Sequence, residues 1–576
     1  MLILGLNAYH GDSSACLIKD GNVVCACEEE RITRVKHWAG FPIESIKFCL
    51  DDQKISIKDI DYITISRDPK ANIFKKIIYT IKNHTNLNNL RKRFNNALQI
   101  SSIKNKISEG LRIPKHDIKA KIYNIEHHRS HLASSFFASK FNKAAVVSID
   151  GFGDFTSTMT AIGIDNKLKV IKTVNYPHSI GIFYTAATQF LGFKNYGDEY
   201  KVMGLSSYGK PIYINELEKI ISITDDGLFK LNNNYFLHFK EGVSMKWSNG
   251  SPNINILYSP LWNRIFGNAR NKNEDINQHH MNIASSVQKF TEIIICNMLN
   301  KLYDKVKLKN LCLSGGVIQN SVINGKIVKK TKFENIYIPA AAHDAGTSIG
   351  AAKLVHHEIT GDMTKRPLQN LYLGPVQDNF TRLYMERTRP TTPFEVADAI
   401  ADGKIIAIYQ GRSEAGPRAL GNRSILFDPR NKEAKNIINR VKRREEFRPF
   451  AASVMEEYAK GWFDLRGLNQ SPYMMYAVDV MSDEIPGVTH VDNTCRVQTV
   501  NADQNFHYYQ LINCFHEKTG VPILFNTSFN LAGECIVETP VDAIETMKRS
   551  KIDAIYFAEL GCLVSNNNNT TTTITT

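Results

Sequence analysis

Two histidines four residues apart, in the run Glu126-His127-His128-Arg129-Ser130-His131, are spaced for metal chemistry. On a helix, positions i and i+4 share a face, so His127 and His131 can direct both imidazoles at one ion. Two ligands do not make a site, and histidines so spaced also serve as ordinary core or surface residues. Asp150 and Asp344, each at the end of an expected strand, could add carboxylates. His10, in Asn7-Ala8-Tyr9-His10-Gly11-Asp12, falls in an expected hairpin turn, where an imidazole can take a proton from a hydroxyl near neutral pH or simply cap the turn. A different chemistry is suggested by Gly411 to Arg430, GRSEAGPRALGNRSILFDPR, which has no helical or strand apolar period. Arg412, Arg418, Arg423 and Arg430 offer planar forks for carboxylate or phosphate, and Gly411, Gly416 and Gly421 let backbone approach a ligand closely. VKRREEFRPF (441–450), HVDNTCRVQTV (490–500) and PILFNTSFNLAGECIV (522–537) are likewise polar where a core would be apolar. Together they read as a surface for a small anion; the alternative is a solvated loop whose arginine stems cover apolar surface.

The elements that must position these residues repeat. Leu2 to Asn7, Ala15 to Ile18 and Val23 to Ala26 form an expected β-meander, with Asp20-Gly21 as a hairpin turn. From Ala144 a similar unit runs AAVVSID, GFGD, TSTMTAIGI, a turn at Asp165-Asn166, and LKVIKTV. Such a duplicated hairpin marks an actin-like arrangement, in which turn amides meet nucleotide phosphates, although polar-turned hairpins are common. Ile283, Val287, Phe290, Ile294, Met298 and Leu302 recur at helical spacing. A strand at Asn310 to Leu313 then ends in Ser314-Gly315-Gly316, and Tyr337 to Ala352 reads as strand, loop and small-residue helix with Asp344 at the turn. Bare backbone there suits a nucleotide; tight helix packing is the other reading. KRPLQNLYLGP, near 365–375, breaks the pattern as a linker. PFEVADAIADGKIIAIYQ is a helix and buried strand delivering Gly411 onward as a loop.

At 576 residues the chain is long enough for two to four domains. It opens on an apolar strand without signal-peptide features and holds no apolar run of ~18 residues, so a cytoplasmic protein without a membrane partner is expected. Ten cysteines, single apart from Cys25 and Cys27, fit a reduced compartment. The formal charge of +14 is local: Arg67 to Lys121 holds 14 Lys or Arg against three acids. This segment, IFKKIIYTIK then LNNLRKRFNNALQISSIKNKI, reads as helices with a solvated lysine-rich face in preference to a nucleic-acid surface. NNNNTTTTITT (566–576) has nothing to bury and is expected to be disordered.

The four C-terminal stretches resemble those of the NodU/TobZ-type carbamoyltransferases, and matching features run from the first residues to about Cys562. The resemblance implies an α/β protein with an actin-like (ASKHA, duplicated RNase H-like) domain over 1–365 and a YrdC-like α/β domain over 366–565. It implies a divalent metal, Fe2+ above all, on His127, His131, Asp150 and Asp344. ATP, with Mg2+ as an optional companion, would lie against Asp150, Gly151, Gly153, Asp154, Ser314, Gly315, Gly316, Asn320 and Asp344. His343 departs from the small or polar residue expected before Asp344, and either adds a ligand or crowds the site. His10 takes the role of base, with Lys36 and His37 as acceptor contacts. Arg418, Lys442, Arg444, Arg448 and Arg496 would hold the phosphate of carbamoyl phosphate, and Asn526 and Ser528 its carbamoyl end. The implied activity is ATP-dependent O-carbamoylation of a small hydroxylated molecule such as a sugar or natural product, with room for a homodimer. A tRNA-modifying enzyme of threonylcarbamoyl type, favoured by the basic segment, and a non-enzymatic ATP-gated binding protein are the competing readings.

Overall fold

The computed structural model describes residues 1–82, 102–243, 245–248, 250–376 and 388–566. The helix expected at LNNLRKRFNNALQ and the tail beyond Asn566 lie outside the described residues. Two compact units divide the chain, Met1–Leu368 and Gln369 onward.

In the first unit, β1 (Leu2–Asn7), β2 (Ser14–Lys19) and β3 (Asn22–Glu28) form the expected antiparallel meander. Asp20 and Gly21 both take positive φ, 49° and 83°, the backbone of a two-residue turn that matches strand twist. β4 (Tyr62–Ile65) and β5 (Lys121–Asn124) add in parallel, giving the order β3-β2-β1-β4-β5. β6 (Lys143–Gly153), β7 (Thr156–Ile164) and β8 (Lys167–Asn175) repeat the meander. β9 (Asn310–Ser314) and β10 (Asn335–Tyr337) add in parallel beside β6, so the second sheet runs β8-β7-β6-β9-β10. Order and strand senses are the same in both sheets, which is the duplicated actin-like fold. β1 and the first half of β6 are central and almost wholly buried, as their continuous apolar runs require.

Four helices frame the first unit's histidine and aspartate residues and the surface near them: α1 (Ile73–Lys82), α2 (His127–Phe136), α3 (Gln278–Val306) and α4 (Thr347–Thr360). The apolar period read from Ile283 to Leu302 is the buried stripe of α3. α2 and α4 cross in backbone contact: a Cβ at Gly350 would lie 1.9 Å from the Ser130 carbonyl oxygen. For the small residues of α4, close packing is therefore the reading that holds. α1 corrects an expectation, because its solvent side is apolar and not a lysine-rich face. Tyr79 turns inward against Phe155, Tyr176 and Phe239, which leaves the isoleucines and Phe74 outside.

The second unit is built on one mixed ten-stranded sheet. Its strands are β11 (Thr388–Pro390), β12 (Ile406–Tyr409), β13 (Arg423–Phe427), β14 (Ala451–Met455), β15 (Phe463–Asp464), β16 (Ala477–Val480), β17 (Thr494–Val500), β18 (Ile523–Ser528), β19 (Ala554–Phe557) and β20 (Cys562–Ser565). Their order is β11-β20-β19-β12-β13-β18-β14-β17-β16-β15. β13 is fully buried and corrects the reading of 411–430 as loop throughout, since its SILF segment fills a central strand.

Candidate active site

α2 begins where the Glu126 carboxylate accepts the Arg129 backbone N–H at 2.7 Å, and the His127 backbone N–H reaches Asp154 Oδ2 at 3.0 Å. Asp154 Oδ2 also accepts from the Asp68 N–H at 2.8 Å. Ser314 Oγ donates to the His131 carbonyl at 2.7 Å. These two residues, expected against a nucleotide, hold the helix that carries the histidines. Gly153 has a related duty, because a Cβ there would come within 2.0 Å of the His127 ring. Asn320 is likewise engaged within the fold: its side chain caps the helix at Ser321–Lys330 and pairs with Gln288. Among the four expected phosphate-loop glycines, Gly151 has open space beside its backbone; Gly315 abuts the Ile149 carbonyl and Gly316 faces Asp150 Oδ1.

Held this way, four side chains converge. His127 Nε2 and His131 Nε2 face each other at 3.1 Å. Asp150 Oδ2 lies 3.3 and 2.9 Å from them, and Asp344 Oδ1 3.6 and 3.3 Å. All four donor atoms fall within 4.8 Å of one another. Two ligands about 2.1 Å from one ion stand roughly 3–3.5 Å apart, so this N2O2 set has the spacing of a divalent site. Asp344 Oδ1 is buried without a hydrogen-bond partner, as a ligand atom would be in the absence of its ion. Burial alone would depress the His131 imidazole, but the Asp150 and Asp344 carboxylates outweigh it and carry it up to about 9. Burial works against the ionised Asp150 carboxylate too, and its two histidines reverse that, holding it well below the usual range. His128, between the ligands, points to Ser148 and the Thr156 carbonyl, and burial with His127 and His131 beside it holds it neutral.

His10 Nδ1 lies 2.7 Å from the other Asp344 oxygen, and its ring stacks on His127 at 4.7 Å. His127 and His131 are sealed, whereas His10 keeps 17% of its side chain exposed and His37 26%, so these two imidazoles are open to solvent. An Nδ1–H donated to Asp344 leaves Nε2 with its lone pair. His37 Nδ1 makes a matching contact of 2.7 Å with Asp12 Oδ1. Burial would lower the His37 imidazole, and Asp12 more than compensates. His343 Nε2 stands 3.9 Å from Asp12 Oδ2, while its Nδ1 meets the Gln319 amide at 3.3 Å, and His343 is not among the four clustered donors. Lys36 is half-buried beside His37.

Sequence reasoning missed three neighbours. Asp12 is two residues from His10 in the same turn, a proximity that could have flagged it. Tyr196 packs where a Gly11 Cβ would be; burial, then Asp12, Asp344 and Asp150, push its hydroxyl well above the usual range, so it remains a donor. Arg67 donates to the Tyr9 carbonyl at 2.7 Å with Asp154 and Asp344 nearby, and neither Tyr196 nor Arg67 carries a local sequence signal.

In the second unit the expected arginines part ways. Arg423 is fully buried, donates to the carbonyls of Gln410, Asn422 and Gly411, and lies 3.7 Å over the Tyr409 ring. Arg430 forms a two-pronged pair with Asp428 at 3.0 and 2.6 Å, and Arg412 donates to the Leu373 carbonyl. These three correct the reading of a four-arginine anion surface. Arg418 differs: burial and then Arg496 push its guanidinium well below the usual range. Arg496 is itself pushed down to about 10, chiefly by burial and further by Arg448, with Cys495 opposing. Arg496, Ala451 and Asn526 stand opposite one another across β17, β14 and β18, so their side chains share one face of the sheet. Asn526 Nδ2 donates to Ser453 Oγ at 2.9 Å, and its buried Oδ1 has no hydrogen-bond partner. Lys442 Nζ donates to the carbonyl of Ser528, to its Oγ and to Asn530, which fixes the end of β18. Arg444 is turned onto the Phe450 ring at 4.3 Å.

Comparisons with known proteins match the division into units. Residues 2–353 match the family described as Carbamoyltransferase N-terminus, and residues 397–563 the one described as Carbamoyltransferase C-terminus. "Nodulation protein NolNO" of Sinorhizobium fredii is 33% identical over 566 residues, covering 95% of this chain and 78% of that protein. "Nodulation protein NolO" of Bradyrhizobium diazoefficiens is 35% identical over 447 residues, 75% of this chain and 77% of that one. "Uncharacterized protein sll1178" of Synechocystis is 37% identical over 599 residues, 96% of this chain and 95% of that one. Among the described residues no helix is long and apolar enough to cross a membrane. With both halves matched in order over most of its length, the chain belongs to the carbamoyltransferase family of enzymes.

Proposed function

We propose that the protein activates carbamoyl phosphate with ATP to carbamoyl-adenylate and transfers the carbamoyl group to a hydroxyl of a small molecule, a sugar or natural product. One observation carries this reading: a single carboxylate, Asp344, contacts His10 through Oδ2 at 2.7 Å and faces both ligand histidines through Oδ1. A proton acceptor is thereby tied to a cation site, as attack by a hydroxyl beside a phosphate leaving group requires.

In the first step carbamoyl phosphate, ATP and one water give carbamoyl-adenylate, phosphate and pyrophosphate. Arg418, Arg448 and Arg496 neutralise the anions, and the Asn526 Oδ1 acceptor suits the carbamoyl NH2. Each charge-assisted bond contributes roughly 1.5–3 kcal/mol, enough for a few to hold so small a ligand against its binding entropy. In the second step His10 Nε2 takes the acceptor proton as the hydroxyl oxygen attacks the carbamoyl carbon and AMP leaves. His127, His131, Asp150 and Asp344 would hold a divalent ion, Fe2+ in the favoured assignment, which would supply charge neutralisation for the leaving phosphate. Tyr196, Asp12 and His37 border the acceptor side, where the tyrosine donates and the Asp12–His37 pair fixes the ring.

The test is mass spectrometry of the purified protein with ATP, carbamoyl phosphate and Fe2+ but no acceptor. Carbamoyl-adenylate, and pyrophosphate dependent on both substrates, are expected. ADP alone, or no product from folded and metal-loaded protein, would remove the first step.

A further inference from the structure

α1 presents its apolar side to solvent. Ile73, Phe74, Ile77, Ile78 and Ile81 are 45 to 79% exposed, and at 3.6 residues per turn they fall within an arc of about 140°. The opposite side is fastened to the fold. Tyr79 lies edge-on to Tyr176 at 5.1 Å and to Phe155 at 5.8 Å, Lys76 Nζ donates to the Pro69 carbonyl, and Asn72 donates to the Asp154 carbonyl. The helix is thus anchored with its apolar stripe outward, the reverse of a surface helix that buries such a stripe in the core.

Charge narrows what could cover it. Lys70, Lys75, Lys76 and Lys82 stand against no acid between positions 70 and 82. Lys75 reaches Thr173 and Asn175 of β8, and that strand exposes Lys167 and Lys169. A second copy of the chain would bring like charges together, and five side chains fall short of the about 800 Å² per partner that a stable interface buries. A nucleic acid would match the charge but not the isoleucines. An anionic lipid surface matches both, taking the apolar stripe below its headgroups and the lysines at their level.

We propose that α1 is an in-plane docking element for anionic lipid, so that the enzyme works at a membrane surface without crossing it. The full-length protein would be sedimented with phosphatidylcholine vesicles and with vesicles that also contain phosphatidylglycerol. Cosedimentation is expected with the anionic vesicles only, weakening as salt rises. The double variant Phe74→Ser/Ile78→Ser, at positions where no core is disturbed, should bind the anionic vesicles about tenfold less or weaker. Leu560→Ser, a control at an exposed leucine of the second unit, should bind like the wild type. Equal sedimentation of the double variant and the wild type, or none by the wild type, overturns the proposal. So does a wild-type dimer in sedimentation velocity that the double variant dissociates, which would give the stripe to a second copy. Retained circular dichroism of the variant separates lost docking from lost fold.

Discussion

In the first unit carboxylates face imidazoles: Asp150 and Asp344 meet His127, His131 and His10 within hydrogen-bonding range. In the second unit like charges are crowded, with Arg418, Arg448 and Arg496 each depressing or being depressed by another. The first arrangement stabilises itself and needs a cation only to replace protons among its donors. The second sets cations beside one another, with Arg448 offset by Glu445 at 3.5 Å. The two clusters should respond differently to the same kind of substitution.

The largest effect should come from Asp344→Ala, which removes a metal donor and the partner of His10 together. Carbamoyl transfer to an acceptor should fall at least about a hundredfold, with loss of bound metal by elemental analysis. Pyrophosphate release from ATP and carbamoyl phosphate should stay near wild type, because the proposed mechanism assigns that step to Arg418, Arg448 and Arg496. If both activities fell together in folded protein, the division of labour would be wrong. Next in size is Arg423→Met. It takes the guanidinium donor from the carbonyls of Gln410 and Gly411, and from that of Asn422, which keeps the Gln410 N–H, so stability to denaturant should drop by about 3 kcal/mol. Arg496→Met inverts the sign: removing the guanidinium that stands beside both Arg418 and Arg448 should raise stability by about 1 kcal/mol. The same change should raise the KM for carbamoyl phosphate about tenfold or more. Two arginines of similar sequence context would then separate into one that holds the fold and one that holds the substrate.

That pair also marks where the sequence stopped being informative. The meander repeat was legible because hairpin turns announce themselves locally, and the His127–His131 spacing because a helix has one period. Arg423 looked like Arg418 because the difference lies in what each meets: the first opens a strand opposite Tyr409 and lies over its ring, the second has Arg496 beside it. Tyr196 and Arg67 reach the site by chain crossings that no local pattern encodes. α1 was misjudged for a related reason. Its composition predicts an amphipathic helix, but which side docks is decided by Tyr79 meeting Tyr176 and Phe155, residues far along the chain.

The smallest effect, and the finest cut through the first cluster, is at His343. The sequence leaves it as either an added ligand or an obstruction, since it precedes Asp344. Its Nε2 instead faces Asp12 at 3.9 Å and its Nδ1 meets Gln319, so it belongs to the Asp12–His37 side and not to the donor set. His343→Asn keeps a group that can bond to Gln319 while removing the imidazole next to Asp12. Bound metal should be unchanged, and pyrophosphate release likewise. Only the KM for acceptor should move, by about threefold, the scale of a long, partly exposed ion pair. A metal content falling as far as in Asp344→Ala would make His343 a fifth ligand and move the boundary between cation site and acceptor side to Asp12.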